Sequence, residues 1–322
     1  MIMLLFAVSA VTFALFAAGP SDPARMACGK VCPQDKLAKV HAGLGLDEPL
    51  VVQYFEYMKG VVVGRDIGPP SARRPCDAPC FGMSYQTNTL VLDKITQAFP
   101  YTLSITVGAA ALWVLIGVPL GLLAGLRKGS WIDKAAAAVA SVGMSIPLPV
   151  VALGLIWLCT VKFNLLPAVA SASDSPWDVG GPVKWVTNYL LVWVTIAVLY
   201  AASYIRIMRA SIVETMGEDY IRTAKAKGLS WRAVTFKHGL RPSITPVVTL
   251  FGLDLAGLIG GTILAETIFG VPGIGQLTER AESDGDLPVI LAVVLLSAFF
   301  VIVANVVVDI VYAVIDPRVQ LS

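Results

Sequence analysis

Four of the five cysteines in this sequence fall into two pairs of equal spacing, CGKVC (Cys28 and Cys32) and CDAPC (Cys76 and Cys80). In an oxidising compartment such pairs form disulfides, and a bridge within each CxxxC or between the two pairs is sterically allowed. Four thiolates could instead hold a structural zinc, or the thiols could stay free. The fifth, Cys159, lies in an apolar run and reads as a small packing residue. Other reactive groups are sparse. The histidines, His41 and His238, stand in separate halves of the chain, and no HExxH, GxSxG or glycine-rich loop between a strand and a helix accompanies them. GVPGIGQLT (Gly270 to Thr278) has the two glycines of a phosphate loop, but Gln276 and Leu277 occupy the places of its Lys and its Ser or Thr. No catalytic residue emerges, and any energy source must come from a partner or an ion gradient.

The elements that carry these residues follow from composition. The chain is 56% hydrophobic and 14% charged over 322 residues, where a soluble domain carries roughly 25% charged residues. This is the composition of an integral membrane protein. Six uncharged or nearly uncharged runs are long enough to cross a bilayer as helix: Met1 to Ala18, Pro100 to Leu126, Ala135 to Val161, Trp185 to Ile205, Pro242 to Ala265 (interrupted by Asp254) and Leu287 to Val308. The first run, ending in Ala17 and Ala18, has a cleaved signal peptide as its alternative, but it lacks a basic leader; a start codon further upstream would supply one. Loop charges set orientation. Residues 127–134 carry three basic groups against one acid, and residues 206–241 carry eight against three, which places both in the cytoplasm. Residues 162–184 balance at two against two, and residues 266–286 hold five acids against one base, which places both outside. By parity the long segment from Gly19 to Phe99 is outward, its cysteines meet the oxidising side, and both termini are cytoplasmic.

One cytoplasmic stretch, GEDYIRTAKAKGLSWRAVTFKHGLRPSITP (Gly217 to Pro246), is basic and amphipathic. Its pattern predicts two short helices divided at Gly228, with Ser230 as the N-cap of the second. In the first, Tyr220, Ala224 and Gly228 recur every four residues on one face while Arg222 and Lys225 flank it. Such an element docks on another protein or lies on anionic lipid.

Wider patterns favour the protein partner. TAKAKG followed by FKHGLRPSITPVVT resembles the signature loop of ABC importer permeases, in which a Glu-Ala-Ala triplet precedes a glycine. Here Arg222, Thr223 and Ala224 occupy the triplet, Gly228 is the glycine, and His238, Leu240 and Arg241 stand where Ile, Leu and Pro are common, as in the peptide branch. GPSDPAR, LGLDEPLVVQY, GVPLGLLAGLRKG, AETIFGVPGIGQL and NVVVDIVYAVIDPR extend the resemblance over nearly the whole chain, with Pro69 to Leu90 as the segment that departs most. The chain is similar to the B-type permease subunit of dipeptide, oligopeptide and nickel importers.

That resemblance implies an all-α protein of six transmembrane helices in the type I permease fold. Residues 1–98 would form the first helix and an outward cysteine-containing segment, and residues 99–316 a permease core with its coupling loop at 206–241. It also implies a partner set: a second, C-type permease, two cytoplasmic ATPases that hold ATP and Mg, an extracytoplasmic binding protein, a peptide substrate and membrane lipid, with no nucleic acid and no cofactor or metal on this chain. Tyr220, Arg222, Thr223, Ala224, Lys225, Gly228, Leu229 and His238 would contact an ATPase, and Asp254, Glu266, Phe269 and Pro272 would line the path. Nickel or another small solute is the alternative cargo, and an ion-driven secondary transporter the remote alternative. Asp254 is the one acid near a span centre, where an ionised carboxylate facing lipid costs about 3 kcal/mol. It therefore caps or pairs with a neighbour, meets the amino terminus of a passing peptide, or takes part in a proton step.

Overall fold

The computed structural model describes residues 2–17, 24–25, 33–34, 37, 41, 46–67, 74–167, 181–260 and 262–315. Helices dominate. In chain order they are α1 (Ile2–Ala17), α2 (Leu50–Val63), α3 (Val91–Leu126), α4 (Trp131–Ser145), α5 (Leu148–Lys162), α6 (Pro182–Thr215), α7 (Asp219–Ala226), α8 (Trp231–Ser243), α9 (Thr245–Ile259), α10 (Ile263–Phe269), α11 (Ile274–Asp284) and α12 (Leu287–Ile315). Strands β1 (Arg65–Ile67) and β2 (Arg74–Cys76) pair antiparallel, with Arg65 opposite Cys76. This small hairpin is absent from an all-α reading.

Three helices, α3, α6 and α12, are each long and apolar enough to cross a membrane, and α4 with α5 and α8 with α9 qualify as bent pairs. The run expected from Ala135 to Val161 is therefore not one straight helix: α4 and α5 meet at 100°. Ser145-Ile146-Pro147-Leu148-Pro149 explains the break. Pro147 disfavours helical dihedrals in the residue before it, and Ile146 is extended at φ −92°, ψ 124°. The 43° bend between α8 and α9 has a similar origin, because Pro246 cannot donate to the Pro242 carbonyl. The fifth span also ends earlier than Ala265, at Ile259, ahead of Gly260 and Gly261. Helix α1 is apolar throughout its 16 described residues.

Other helices overrun their apolar runs. Helix α3 starts at Val91, taking in Asp93 and Lys94, and α6 continues past Ile205 through Arg206, Arg209 and Glu214 to Thr215. At 1.5 Å per residue α6 is about 50 Å long, well beyond a ~30 Å hydrocarbon layer. The helix therefore continues past its apolar run into charged turns.

The chain separates into two compact units, Met1–Thr102 with Gly260–Ile263 and Pro272–Phe300, and Leu103–Ile259 with Leu264–Val271 and Val301–Ser322. In the first, Val91, Ile95 and Ala98 of α3 close on Ile274 and Ala281 of α11 and on Val289, Ile290 and Val293 of α12. Asp286, almost fully buried, anchors the turn at Ser84 and Tyr85: it accepts from Ser84 Oγ and from the Tyr85 amide at 3.0 Å, with Lys94 Nζ at 3.7 Å. Through Phe81, the segment that carries Cys76 and Cys80 thus shares its core with residues 272–300. In the second unit α6 is central. Trp193 Nε1 donates to the Ser104 carbonyl at 3.0 Å, Trp185 Nε1 to Ser104 Oγ at 2.6 Å, and Ala202 and Ile205 pack on Ala140 of α4. Toward the C-terminal end of α6, Arg209 grips the Asp133 carboxylate through Nε and, at 2.9 Å, Nη2.

Candidate functional site

The basic stretch folds as the spacing predicts, but its inward face is different. Helix α7 buries Ile221 and Ala224, an i, i+3 pair, against Val234 of α8, with Met216 at the edge. Tyr220 is 47% exposed, and Gly228 has nothing within 4 Å of where a Cβ would stand. The expected face of Tyr220, Ala224 and Gly228 is accordingly split: Ala224 packs inside the chain, and the free side of α7 carries Tyr220, Arg222, Thr223 and Lys225. Ile221, the aliphatic residue between Tyr220 and Arg222, is the signal that the spacing argument passes over.

Gly228 has a backbone role. It sits at φ +76°, a left-handed conformation that costs an L-residue about 1–2 kcal/mol. Its amide donates to Lys225 O at 3.0 Å, and the Leu229 amide donates to Ala224 O at 3.4 Å, the two bonds of a Schellman helix end. Two residues on, Ser230 Oγ accepts from the Ala233 amide at 3.4 Å and caps α8. Lys225 Nζ lies 5.3 Å from the centre of the Trp231 ring, bridging the two helices. Leu229, Trp231 and Phe236 are exposed, while His238 is half-buried on a π-helical stretch, Val234–Gly239. The product is a self-supported helical corner with an aromatic and basic outer side.

The residues expected along a path are placed differently from one another. Asp254 on α9 is half-buried and accepts a 2.9 Å hydrogen bond from Tyr204 Oη of α6. Glu266 and Phe269 on α10 are fully buried within the chain, and offer no surface to a solute in this conformation. Pro272 is half-buried after Gly270, whose φ of +64° ends α10. The motif beyond is a helix, not an open loop: α11 buries Ile274, Gly275, Gln276, Thr278 and Ala281, and the Ile274 amide donates to Thr102 Oγ1 at 2.8 Å.

Cys76 and Cys80 form a disulfide, with Cα atoms 5.5 Å apart. This bridge runs within the CxxxC, and bonded sulfurs are not zinc ligands. Cys28 and Cys32 lie outside the described residues. Cys159 is a half-buried free thiol.

Comparison with known proteins gives these placements a context. The family described as binding-protein-dependent transport system inner membrane component matches residues 117–321, and its N-terminal counterpart matches residues 1–106. A probable peptide ABC transporter permease protein of Sinorhizobium fredii is 35% identical over 308 residues, covering 96% of this chain and 92% of its own. The glutathione transport system permease protein of Escherichia coli is 34% identical over 316 residues, covering 98% and 94%. Among solved structures, an inward-facing methionine ABC transporter chain shares the fold with a TM-score of 0.55 at 18% identity, over 70% of this chain and 97% of that one.

Proposed function

This chain belongs to the binding-protein-dependent transport system inner membrane components and is a permease subunit of an ABC importer of the peptide and nickel family; on that premise we propose that it imports peptides as one half of a heterodimeric path. The other half is a C-type permease, an extracytoplasmic binding protein delivers the peptide, and two cytoplasmic ATPases carry the ATP and Mg. Peptide cargo is supported by the relatives, one named for peptides and one for glutathione, itself a tripeptide. In this reading α1 is the first of six spans in the bacterial inner membrane, and both termini face the cytoplasm.

The observation that carries the mechanism is the helical corner at Gly228. Its inner face is already filled by Ile221, Ala224 and Val234, so the corner holds its shape without a partner. Its outer side presents Tyr220, Arg222, Lys225, Leu229 and Trp231 to an ATPase groove. When the ATPases close on ATP, a rigid corner transmits their motion to α6 and α9, and each bound ligand shifts the equilibrium by its differential affinity for the two states. Gly228→Trp forces a bulky L-residue into the left-handed turn and distorts the corner. In reconstituted complex it should abolish peptide uptake while the complex still assembles; unchanged uptake removes the docking role.

A further inference from the structure

The Asp254 carboxylate is incompletely satisfied. Tyr204 fills one of roughly four lone-pair positions, and among the described residues no Lys, Arg or His forms an ion pair with it. A carboxylate at the middle of a span is costly unless it meets a positive charge or a water-filled path. Beside it stands a concentration of aromatic rings. Trp113 of α3 stacks on Tyr200 at 4.8 Å and lies 6.0 Å from Tyr204 and 6.1 Å from Phe251, which is one turn before Asp254 on α9. Trp113 and Tyr204 are buried and rigidly packed, whereas Tyr200, Phe251 and Asp254 are each half-buried and keep a free side.

A metal ion is a poor match, because among the described residues no three Asp, Glu, His or Cys groups converge, and hard cations take six or more oxygens. A half-buried carboxylate with the half-buried Phe251 ring one turn away on the same helix suits an organic ammonium, which gains from the anion and from an aromatic ring beside it. We propose that Asp254, positioned by Tyr204, with Tyr200 and Phe251 each one helical turn from this pair, is a subsite for the protonated amino group of the solute in transit, so that the path favours peptides with a free amino terminus. The inference rests on the peptide-import reading for its ligand, but not for its charge preference.

Two measurements on the assembled complex test it. In a Cys159→Ser background, Gly257→Cys places a thiol one turn from Asp254, at an exposed position with nothing within 4 Å of its Cβ. The ratio of its modification rates with aminoethyl and sulfonatoethyl methanethiosulfonate should fall about tenfold when Asp254→Asn is added. An unchanged ratio overturns the subsite whatever the cargo. In proteoliposomes, the ratio of tetra-alanine to N-acetyl-tetra-alanine uptake should fall about tenfold in Asp254→Asn, fall less in Tyr204→Phe, and recover in Asp254→Glu. Equal loss of both peptides in Asp254→Asn overturns the amino-terminus assignment, as does failure of the variant to assemble, which makes the residue structural. If the wild type takes up neither peptide, the peptide reading fails, and the thiol measurement alone decides whether the cation subsite stands.

Discussion

Replacing Gly121 by Ala should destabilise the protein, against the usual direction for a glycine in a helix. Gly117, Gly121 and Gly125 lie four residues apart on α3, along the side that meets α6. A Cβ built on Gly121 falls 2.6 Å from the Ile205 carbonyl oxygen and 2.8 Å from Met208 Cβ. Ordinary contact begins near 3.4 Å, so the helices must part by about 0.8 Å (3.4 less 2.6), and because the obstacle is backbone no rotamer change relieves it. Overpacking costs about 1–3 kcal/mol, here at the upper end, and the better helix propensity of Ala returns about 1. The net loss is about 2 kcal/mol. Gly154 on α5 has nothing within 4 Å, so Gly154→Ala carries the propensity gain alone. With roughly 2–4 °C per kcal/mol, the apparent unfolding midpoint of the purified chain in detergent should drop about 4–8 °C in Gly121→Ala and rise about 2–4 °C in Gly154→Ala. A Gly121→Ala midpoint equal to or above that of Gly154→Ala would refute close α3–α6 packing.

Ser104→Ala should cost about 1–3 kcal/mol in the same assay, because it leaves Trp185 Nε1 without its acceptor; Thr at this position should recover much of the loss. Asp286→Ala should cost about 3 kcal/mol, the lower end of the range for broken buried pairs because Lys94 keeps a fifth of its surface in water, and limited proteolysis should then cut the segment around Cys76 and Cys80 first. Under non-reducing conditions a maleimide should leave Cys76 and Cys80 unlabelled; labelling of both before reduction contradicts the bridge. Asp133→Asn should lower the unfolding midpoint by weakening the Arg209 pair, and Arg209→Gln in the same chain should add little further loss.

The membrane class, the long apolar helices and the corner at Gly228 were readable from sequence because each rests on a local rule. Uncharged length gives a span, and a glycine before a capping serine gives a helix break. What was missed was either local but invisible to a count of charge and hydropathy, or dependent on neighbours distant in sequence. Counting charges placed the start of α3 at Pro100 and the end of α6 at Ile205, but a helix does not stop where the bilayer does. Pro147 and Pro149 lay in plain view, yet a hydropathy window treats proline as neutral and read through a 100° bend. GVPLGLLAGLRKG was read only as part of a resemblance, and the reason for its glycines, the backbone of α6, lies in another element. Likewise Asp254 was identifiable as an isolated acid, but Tyr204, 50 residues before it, carried no signal that named it as the partner.

The central claim is that this chain couples ATP use on partner subunits to peptide import. Uptake of radiolabelled tetra-alanine into proteoliposomes containing the full complex tests it directly. The account predicts accumulation only when ATP, Mg and the binding protein are present together, with none in the presence of a non-hydrolysable ATP analogue. Accumulation driven by a proton or sodium gradient without ATP would contradict it.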